Sequence, residues 1–475
     1  MAETREVPRS LVWTPVIWLM AGEAVLFALL VPVAVALHIM FASTAPEALE
    51  ESEGLVAWTV AGAMLYSALM VAGVHALGMH SVRSREHGMH TLLKYLLGAA
   101  AGAMLLWLFI QFAPGIDVNP LTVTGVTAAG MAGLVVWRGV VGGFIDSAAV
   151  RINVLVLGAG KRAEAFDAGL RRRSDRRGLN VVGYLPLDEG EVRLRPGKVM
   201  YSRASLASIC ERNRIDEIVI AVDDRRAKLP LEQLLECRFR GVSVSQAASF
   251  IERECGRIPL ELVDPGWWLF RGGFSDTLPR RVLKRLFDLF AGSLILLLAL
   301  PLMLCCALAI KLEEGWRARV FYRQHRVGRH GRIFLLTKFR SMREDAEGDG
   351  KARWATVDDD RVTRTGKWLR KLRLDELPQL FNVIKGEMSL VGPRPERPEF
   401  VSELAKEIPY YERRHAVHPG ITGWAQLCYP YGASVRDAAE KLKYDLYYIK
   451  NYSLLLDITI LLRTVEVVLF GKGAR

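Results

Sequence analysis

The sequence predicts a membrane protein in three parts: an N-terminal four-helix transmembrane bundle, a Rossmann-like α/β domain, and a C-terminal α/β domain carrying a re-entrant membrane helix. Three observations carry this reading. Four apolar segments fill the first third of the chain. A β-branched run followed by Gly-Ala-Gly opens a different composition after residue 150. A fifth apolar segment, over 286–310, has cations on both flanks. The boundaries expected are 1–148, 149–262 and 280–475, with a linker over 263–279. At 475 residues there is room for two or three domains, and 51% hydrophobic content points to membrane segments. A formal charge of +12 suits anionic partners such as lipid head groups or phosphorylated substrates. Nucleic acid is not expected, because no zinc spacing or aromatic-basic module accompanies the charge. The 6 cysteines form no Cys-x-x-Cys pair and read as reduced thiols. No cleavable signal peptide is expected, since the first apolar segment runs to Met40 without a small-residue cleavage site.

The four expected spans are Leu11 to Met40, Leu55 to Met79, Leu92 to Phe112 and Leu121 to Ile145. Each reaches the roughly 20 residues that cross a bilayer. Glu47, Glu50, Glu51 and Glu53 lie in the first connection, Arg83, Arg85 and Lys94 at the second, and only Asp117 in the third. Cations favour the inside, so both ends of the bundle face the cytoplasm. Glu23, Pro32 and His75 read as groups packed within an anchor rather than as a transport path.

Ile152 to Leu157 reads as a strand, and Gly158-Ala159-Gly160-Lys161-Arg162-Ala163 as a Gly-rich turn leading into a helix. That is the context in which backbone amides cradle a phosphate, so Gly158 and Gly160 are candidate cofactor contacts. A Rossmann scaffold without nucleotide accounts for the same residues, because one Gly motif is a weak signal. Strands are expected over Asn180 to Leu185 and Glu217 to Val222, with a helix near Leu206 to Arg212 and the α/β stretch ending near Phe250. Asp188 is the one nearby candidate for a ribose contact, and it lies in a loop beyond its strand.

Arg280, Arg281, Lys284 and Arg285 precede the fifth apolar segment, and Lys311, Arg317 and Arg319 follow it. With both flanks basic, the charge rule gives a crossing no preferred direction. Pro301 removes a backbone donor in the middle and favours a kink. A helix that dips into one leaflet and returns satisfies both features and leaves the rest of the chain in the cytoplasm; a kinked spanning helix is the alternative.

Beyond it, Val320 to Gly331 and Phe334 to Met342 read as two strands joined by a Gly-bearing turn, with Lys338 and Arg340 on the second. Residues 346–351 read as a loop. Asp358-Asp359-Asp360 reads as a solvated turn, a divalent-ion site being the alternative. Arg361, Arg364, Lys367, Arg370, Lys371 and Arg373 then lead, with no acid among them, into Asp375-Glu376 and Pro378. Trp368, Leu369 and Leu372 add an apolar stripe, so this helix suits a bilayer interface with its cations toward phosphates. Surface solvation does not call for such a run of unpaired cations; neutralising a pyrophosphate does. The fitting chemistry is phosphoryl-type transfer. Asp375 would be the nucleophile that forms an acyl phosphate, with Glu376 beside it on a Mg²⁺ ion. Arg370 and Arg394 would bind phosphate in fork geometry, joined by Lys338, Arg340 and Lys367. Taken alone, an acidic pair ahead of Leu-Pro also fits an ordinary helix N-terminus.

From Arg281 onward the chain resembles the bacterial sugar transferase family, the catalytic domain of monotopic phosphoglycosyl transferases. The resemblance rests on Lys284-Arg285-x-Phe287-Asp288, Lys338-Phe339-Arg340-Ser341-Met342, Leu374-Asp375-Glu376-Leu377-Pro378-Gln379 and Ser389-Leu390-Val391-Gly392-Pro393-Arg394-Pro395. It continues in the run from His418 to Gln426, in Tyr444-Asp445-x-x-Tyr448-Ile449 and in Asp457. The four spans and the Rossmann-like domain resemble the large polyisoprenyl-phosphate hexose-1-phosphate transferases. The run from Tyr431 to Ala474 is similar to exopolysaccharide members associated with exosortase systems.

The resemblance implies a re-entrant helix kinked near Pro301, Mg²⁺, a UDP-sugar donor and undecaprenyl phosphate as acceptor at the cytoplasmic face of a bacterial inner membrane. It implies that Asp375 attacks the sugar-side phosphorus and expels UMP, and that the lipid phosphate then takes the sugar phosphate. Many smaller relatives carry Asn-Gly-Arg soon after Ala-Gln, whereas here Leu427-Cys428-Tyr429-Pro430-Tyr431 follows, with Arg436 as a candidate replacement. A homodimer through the Rossmann-like domain is also expected. The competing readings are a membrane-anchored nucleotide-sugar dehydratase and a non-catalytic nucleotide-sensing scaffold. The first needs a Tyr-x-x-x-Lys pair, which the chain lacks, and the intact dyad speaks against the second. Glucose, galactose or an N-acetylhexosamine would all suit the dyad.

Overall fold

A computed structural model of the chain describes residues 151–343 and 361–470, less 171–174, 177, 188–191, 224–228, 271–272, 275–276, 430–431 and 433. It also describes 21–29, 64, 67–68, 70–71, 125, 128–130 and 132–137. Most of the four expected spans, Pro32, His75, Asp188, the loop over 346–351 and Asp358-Asp359-Asp360 lie outside the described residues. Within the first part, 21–29 and 132–137 are helical and Glu23 is buried. The Ser67 hydroxyl donates to the Ala24 carbonyl at 2.8 Å. Two compact units divide the chain, 1–247 and 248–475.

In the first unit, β1 (Ile152–Leu157), β2 (Leu179–Leu185), β3 (Glu217–Ile220) and β4 (Ser243–Gln246) form a parallel sheet in the order β2-β1-β3-β4. Val154 to Leu157 are fully buried, as expected of a parallel strand covered on both faces. α1 (Lys161–Gly169) follows β1. α2 (Leu206–Arg212), capped by the Ser205 hydroxyl, and α3 (Leu231–Phe239) complete the layer described. Leu155, Leu157, Ile209, Ile218 and Leu234 form its core. Cys210 and Cys237 meet there as free thiols, their sulfurs hydrogen-bonded at 3.9 Å, and burial pushes the Cys210 thiol up to about 12.

The second unit begins within α4 (Ala247–Cys255). Glu252 pairs with Lys450 at 2.7 Å, and the Ile258 amide donates to the Lys443 carbonyl at 2.9 Å. The segment expected to be a linker is packed into the same unit. α5 (Pro265–Phe270) buries Trp267 beneath the Lys450 ammonium, 4.2 Å from the ring centroid. Trp268 lies against Phe274 and Tyr410.

α6 (Leu278–Glu314) is one helix of 37 residues, with Pro279 in its first turn, Pro301 inside it and Gly315 at φ 90° closing it. Among the described residues it is the one helix long and apolar enough to cross a membrane. Its base is held by Arg285, which donates to the Val383 and Ile384 carbonyls at 2.6 and 2.7 Å. Buried Asp288 accepts from the Ser389 hydroxyl at 3.1 Å and the Leu390 amide at 3.2 Å. Its far end, at Met303, Cys306 and Ile310, packs on Phe339 and Leu369. Both ends therefore rest on the same unit, while Leu294, Leu297, Leu298, Leu300, Leu302, Leu304 and Leu308 stand exposed along it.

After α6 come a hairpin of β5 (Phe321–Val327) and β6 (Ile333–Phe339), then α7 (Arg364–Lys371) and α8 (Gln379–Lys385). β7 (Ser389–Val391) pairs in parallel with β8 (Gly420–Thr422), with α9 (Pro398–Glu407) between them in sequence. α10 (Trp424–Cys428), α11 (Val435–Asn451) and α12 (Leu454–Phe470) end the fold. Asp457, whose charge in an apolar run suggests a surface helix, is buried. It accepts from Lys284 at 2.6 Å and from the Tyr448 hydroxyl at 2.7 Å. Arg463 lies over the Trp424 ring at 5.5 Å.

Candidate active site

The dyad sits in a tight joint between two short helices. The Thr363 hydroxyl accepts from the Gly366 amide at 2.9 Å, and Glu313 accepts from the Arg364 and Thr365 amides at 2.9 and 2.8 Å. These acceptors satisfy the first donors of α7, as helix starts require. A side chain at Gly366 would meet the Ser341 carbonyl at 2.0 Å, so α7 lies directly on the chain leaving β6. Leu369 anchors α7 on α6, while Lys367 and Trp368 are exposed. At Arg373 the backbone enters the left-handed region (φ 55°), which costs a non-glycine residue about 1 kcal/mol. Leu374, Asp375 and Glu376 then form a single 3₁₀ turn, and Pro378 starts α8. The arrangement buries Asp375 and leaves Glu376 beside Arg394.

Arg394 donates through Nη2 to Glu376 Oε1 at 2.7 Å, and its Nη1 lies 3.4 Å from Gln426 Oε1. Lys338 comes from β6. The register sets Tyr322 of β5 directly opposite it, and the ammonium lies 5.2 Å from that ring's centroid. Burial and then the neighbouring Glu376 charge push the Asp375 carboxyl above its usual range; Lys338, Arg394 and Arg370 pull the other way. Burial also opposes the Glu376 charge, but Arg394, with Arg373 and Lys338, holds that carboxyl below its usual range. Desolvation lowers Lys338 to about 8 despite the charge on Asp375, and the cations Arg326, Arg370 and Arg394 add to the effect.

The structure thus gathers Asp375, Glu376, Lys338, Arg370 and Arg394. It turns Arg340 to Glu314, at 3.7 Å, and leaves Lys367 exposed on α7. Arg436 is exposed in the first turn of α11; the residue from the Ala425-Gln426 stretch that meets Arg394 is Gln426. Arg326 and Tyr322 were not singled out from the sequence, although the two-residue alternation of Tyr322, Gln324 and Arg326 puts them on one strand face with Lys338 opposite. Gly158 and Gly160 lead into α1, where the Asp223 carboxylate accepts from the Lys161 and Arg162 amides at 2.8 and 2.7 Å.

Among the described residues no group of three or more His, Cys, Asp or Glu is placed to hold a metal ion. Two adjacent carboxylates suit a hard cation whose remaining ligands are water and substrate phosphate, which is how Mg²⁺ is commonly held. The dyad fits such a shared ion and not a closed protein cage.

A tight joint with a buried, elevated carboxyl, a second carboxylate and cations within electrostatic reach has the charge pattern that suits a phosphorylated substrate. Residues 279–471 match the profile described as bacterial sugar transferase. An uncharacterized sugar transferase of Bacillus subtilis is 41% identical over 192 residues, which cover 40% of this chain and 90% of that protein. The chain belongs to the bacterial sugar transferase family. It is 41% identical over 266 residues, 55% of this chain and 61% of the relative, to the UDP-N-acetylgalactosamine-undecaprenyl-phosphate N-acetylgalactosaminephosphotransferase of Aeromonas hydrophila. It is 34% identical over 314 residues to the UDP-glucose:undecaprenyl-phosphate glucose-1-phosphate transferase of Xanthomonas campestris pv. campestris, covering 62% of each chain. The matches span about three fifths of these two longer relatives.

Proposed function

We propose that this chain transfers a sugar 1-phosphate from a UDP-sugar to undecaprenyl phosphate at the cytoplasmic face of a bacterial inner membrane. The observation that carries the reading is the buried Asp375 with Glu376 beside it, within electrostatic reach of Lys338, Arg370 and Arg394, on a unit that also holds both ends of an exposed apolar helix. A helix packed in this way favours dipping into one leaflet and returning, since a straight crossing would carry one end away from its partners. The base of α6 and the dyad then lie near the head groups, where a lipid phosphate can arrive.

In the first step an Asp375 carboxylate oxygen attacks the sugar-side phosphorus. The bond from that phosphorus to the bridging oxygen breaks, and UMP departs with the bridging oxygen and its electrons. In the second step a phosphate oxygen of the lipid attacks the same phosphorus and frees the Asp375 carboxylate, giving undecaprenyl-diphospho-sugar. Arg394, held by Glu376, and Arg370 orient the phosphates and neutralise charge as the leaving group forms. Lys338 keeps a cation beside the nucleophile and limits its basicity. Asp375 and Glu376 would hold a Mg²⁺, which would supply Lewis-acid stabilisation of the departing oxygen.

The test is UMP release by the full-length protein in membranes, with UDP-N-acetylgalactosamine or UDP-glucose, with and without undecaprenyl phosphate and Mg²⁺. Sustained release should need the lipid phosphate, and without it a burst of at most one UMP per protein should appear. Asp375→Asn should remove both. Unchanged turnover in Asp375→Asn, or turnover indifferent to the lipid, would overturn the reading.

A further inference from the structure

Arg394 lies on a stretch with neither helix nor strand, Gly392 to Glu396, whose two prolines fix φ and contribute no amide donor. The Gly392 amide donates to the Thr422 carbonyl at 2.9 Å, and donors meet the carbonyls of the stretch one after another. At its entrance the Val391 carbonyl receives Lys284 Nζ at 3.2 Å, the Ser389 hydroxyl at 3.0 Å and the Tyr448 hydroxyl at 3.0 Å. The Pro393 carbonyl accepts from the Gly420 amide at 2.9 Å, and the Glu396 carbonyl from the Val327 amide at 3.0 Å. The Pro395 carbonyl accepts from Arg326 Nη1 at 3.1 Å. The carbonyl of Arg394 itself accepts from Arg414 Nη2 at 3.0 Å.

Arg414 is the most buried of the charged donors among them. It is 6% exposed, and the nitrogen that reaches Arg394 also donates to the buried Asp445 at 2.9 Å. Its other terminal nitrogen donates to the Tyr411 hydroxyl at 2.7 Å. A guanidinium forked among a carboxylate, a phenol and a carbonyl is a rigid support, because each partner restricts its rotation. Tyr448 is buried on α11, and its hydroxyl is shared between the Val391 carbonyl and Asp457.

We infer that Arg414, with Tyr448, is a positioning residue for Arg394: it sets where the Arg394 guanidinium stands without touching the substrate. The inference rests on the proposed role of Arg394 in holding the donor pyrophosphate. Its physical content is preorganisation. The backbone order needed to hold a guanidinium against Glu376 and a phosphate is established during folding, so substrate binding does not have to impose it. Arg414→Lys keeps a positive charge beside Asp445 but cannot span Asp445, Tyr411 and the Arg394 carbonyl together.

The experiment measures kcat and KM for UMP release by the full-length protein in membranes, using whichever of UDP-glucose and UDP-N-acetylgalactosamine turns over. Wild type, Arg414→Lys, Arg394→Lys and the double variant form a cycle, with thermal melting as a check on folding. Arg414→Lys should lower kcat/KM about ten- to a hundredfold. The same change made on Arg394→Lys should cost much less, because a displaced Arg394 is then no longer there to lose. Equal losses in both backgrounds overturn the inference and leave the proposed reaction standing. An Arg394→Lys variant with wild-type kinetics removes the role of Arg394 and both readings of it. If Arg414→Lys does not fold, Tyr448→Phe, which keeps shape and removes one hydroxyl, enters the same cycle with the same outcomes.

Discussion

The two turns that looked from the sequence like anion sites satisfy their charge in opposite ways. At the start of α1 the amides of Lys161 and Arg162 are taken by the chain's own Asp223, which stands where a phosphate would sit in a nucleotide-binding turn. A side chain on Gly160 would fall 2.3 Å from an Asp223 oxygen, so the glycine makes room for a carboxylate from within. At the dyad the chain supplies two carboxylates but surrounds Asp375 with Lys338, Arg370 and Arg394. The first turn is electrostatically complete. On the proposed function the second gains from a further anion. A glycine turn and a cation cluster therefore carry different information: the turn shows where backbone can approach, and the cluster shows what charge is wanting.

The comparison breaks most visibly at Arg394. Arg394→Ala should lower kcat/KM for UMP release about a hundred- to a thousandfold, the usual loss of a donor aimed at developing charge. A small effect would mean the cations around the dyad serve only the fold. Next in size is Gly158→Ala. Gly158 has φ 114°, and an added Cβ would lie 2.6 Å from the Ala221 carbonyl oxygen. Strain of about 2 kcal/mol should appear as a lower melting temperature of the full-length protein in detergent. An unchanged melting temperature would show that the turn is looser than this contact requires.

The Asp223 side of the comparison is sharpened by ligand-induced melting shifts. Wild type should show no stabilisation by inorganic pyrophosphate or NAD from this turn, whereas Asp223→Ala should lose about 1 kcal/mol of helix capping and regain part of it with pyrophosphate. Stabilisation of wild type that Asp223→Ala leaves unchanged would put nucleotide binding elsewhere.

The smallest effect concerns Lys338, lowered from 10.5 to about 8. Between those values the unfolded chain binds the proton that the folded chain has released, so folding stability rises with pH across that window. Activity should move in the opposite sense, because the ammonium is lost as pH passes about 8. A kcat/KM profile falling above that pH, and flattened in Lys338→Arg, is the expected result. An identical fall in the arginine variant would assign it to another group.

Local chemistry determined much of this protein in advance. The β-branched run at Ile152 to Leu157, the strands of the hairpin and the apolar helix with its basic flanks follow from residue order, because each depends on neighbours a few positions away. The dyad and its cations were legible too, since six positive charges without acids are unusual over so short a run. What the charges do depends on facing surfaces, and spacing cannot encode that. Of the expected phosphate contacts, Lys338, Arg370 and Arg394 lie within electrostatic reach of Asp375, while Arg340 turns to Glu314 and Lys367 to the surface. Asp457 looked like an interruption in an apolar helix and is instead buried against Lys284, 173 positions earlier. Asp445 looked like part of a motif and proves to be the partner of Arg414. Those pairings join residues remote in sequence. Only the packing of α6 with α12, and of α11 with the turn over Tyr411–Ala416, brings them within hydrogen-bond reach, and that decision belongs to the tertiary structure.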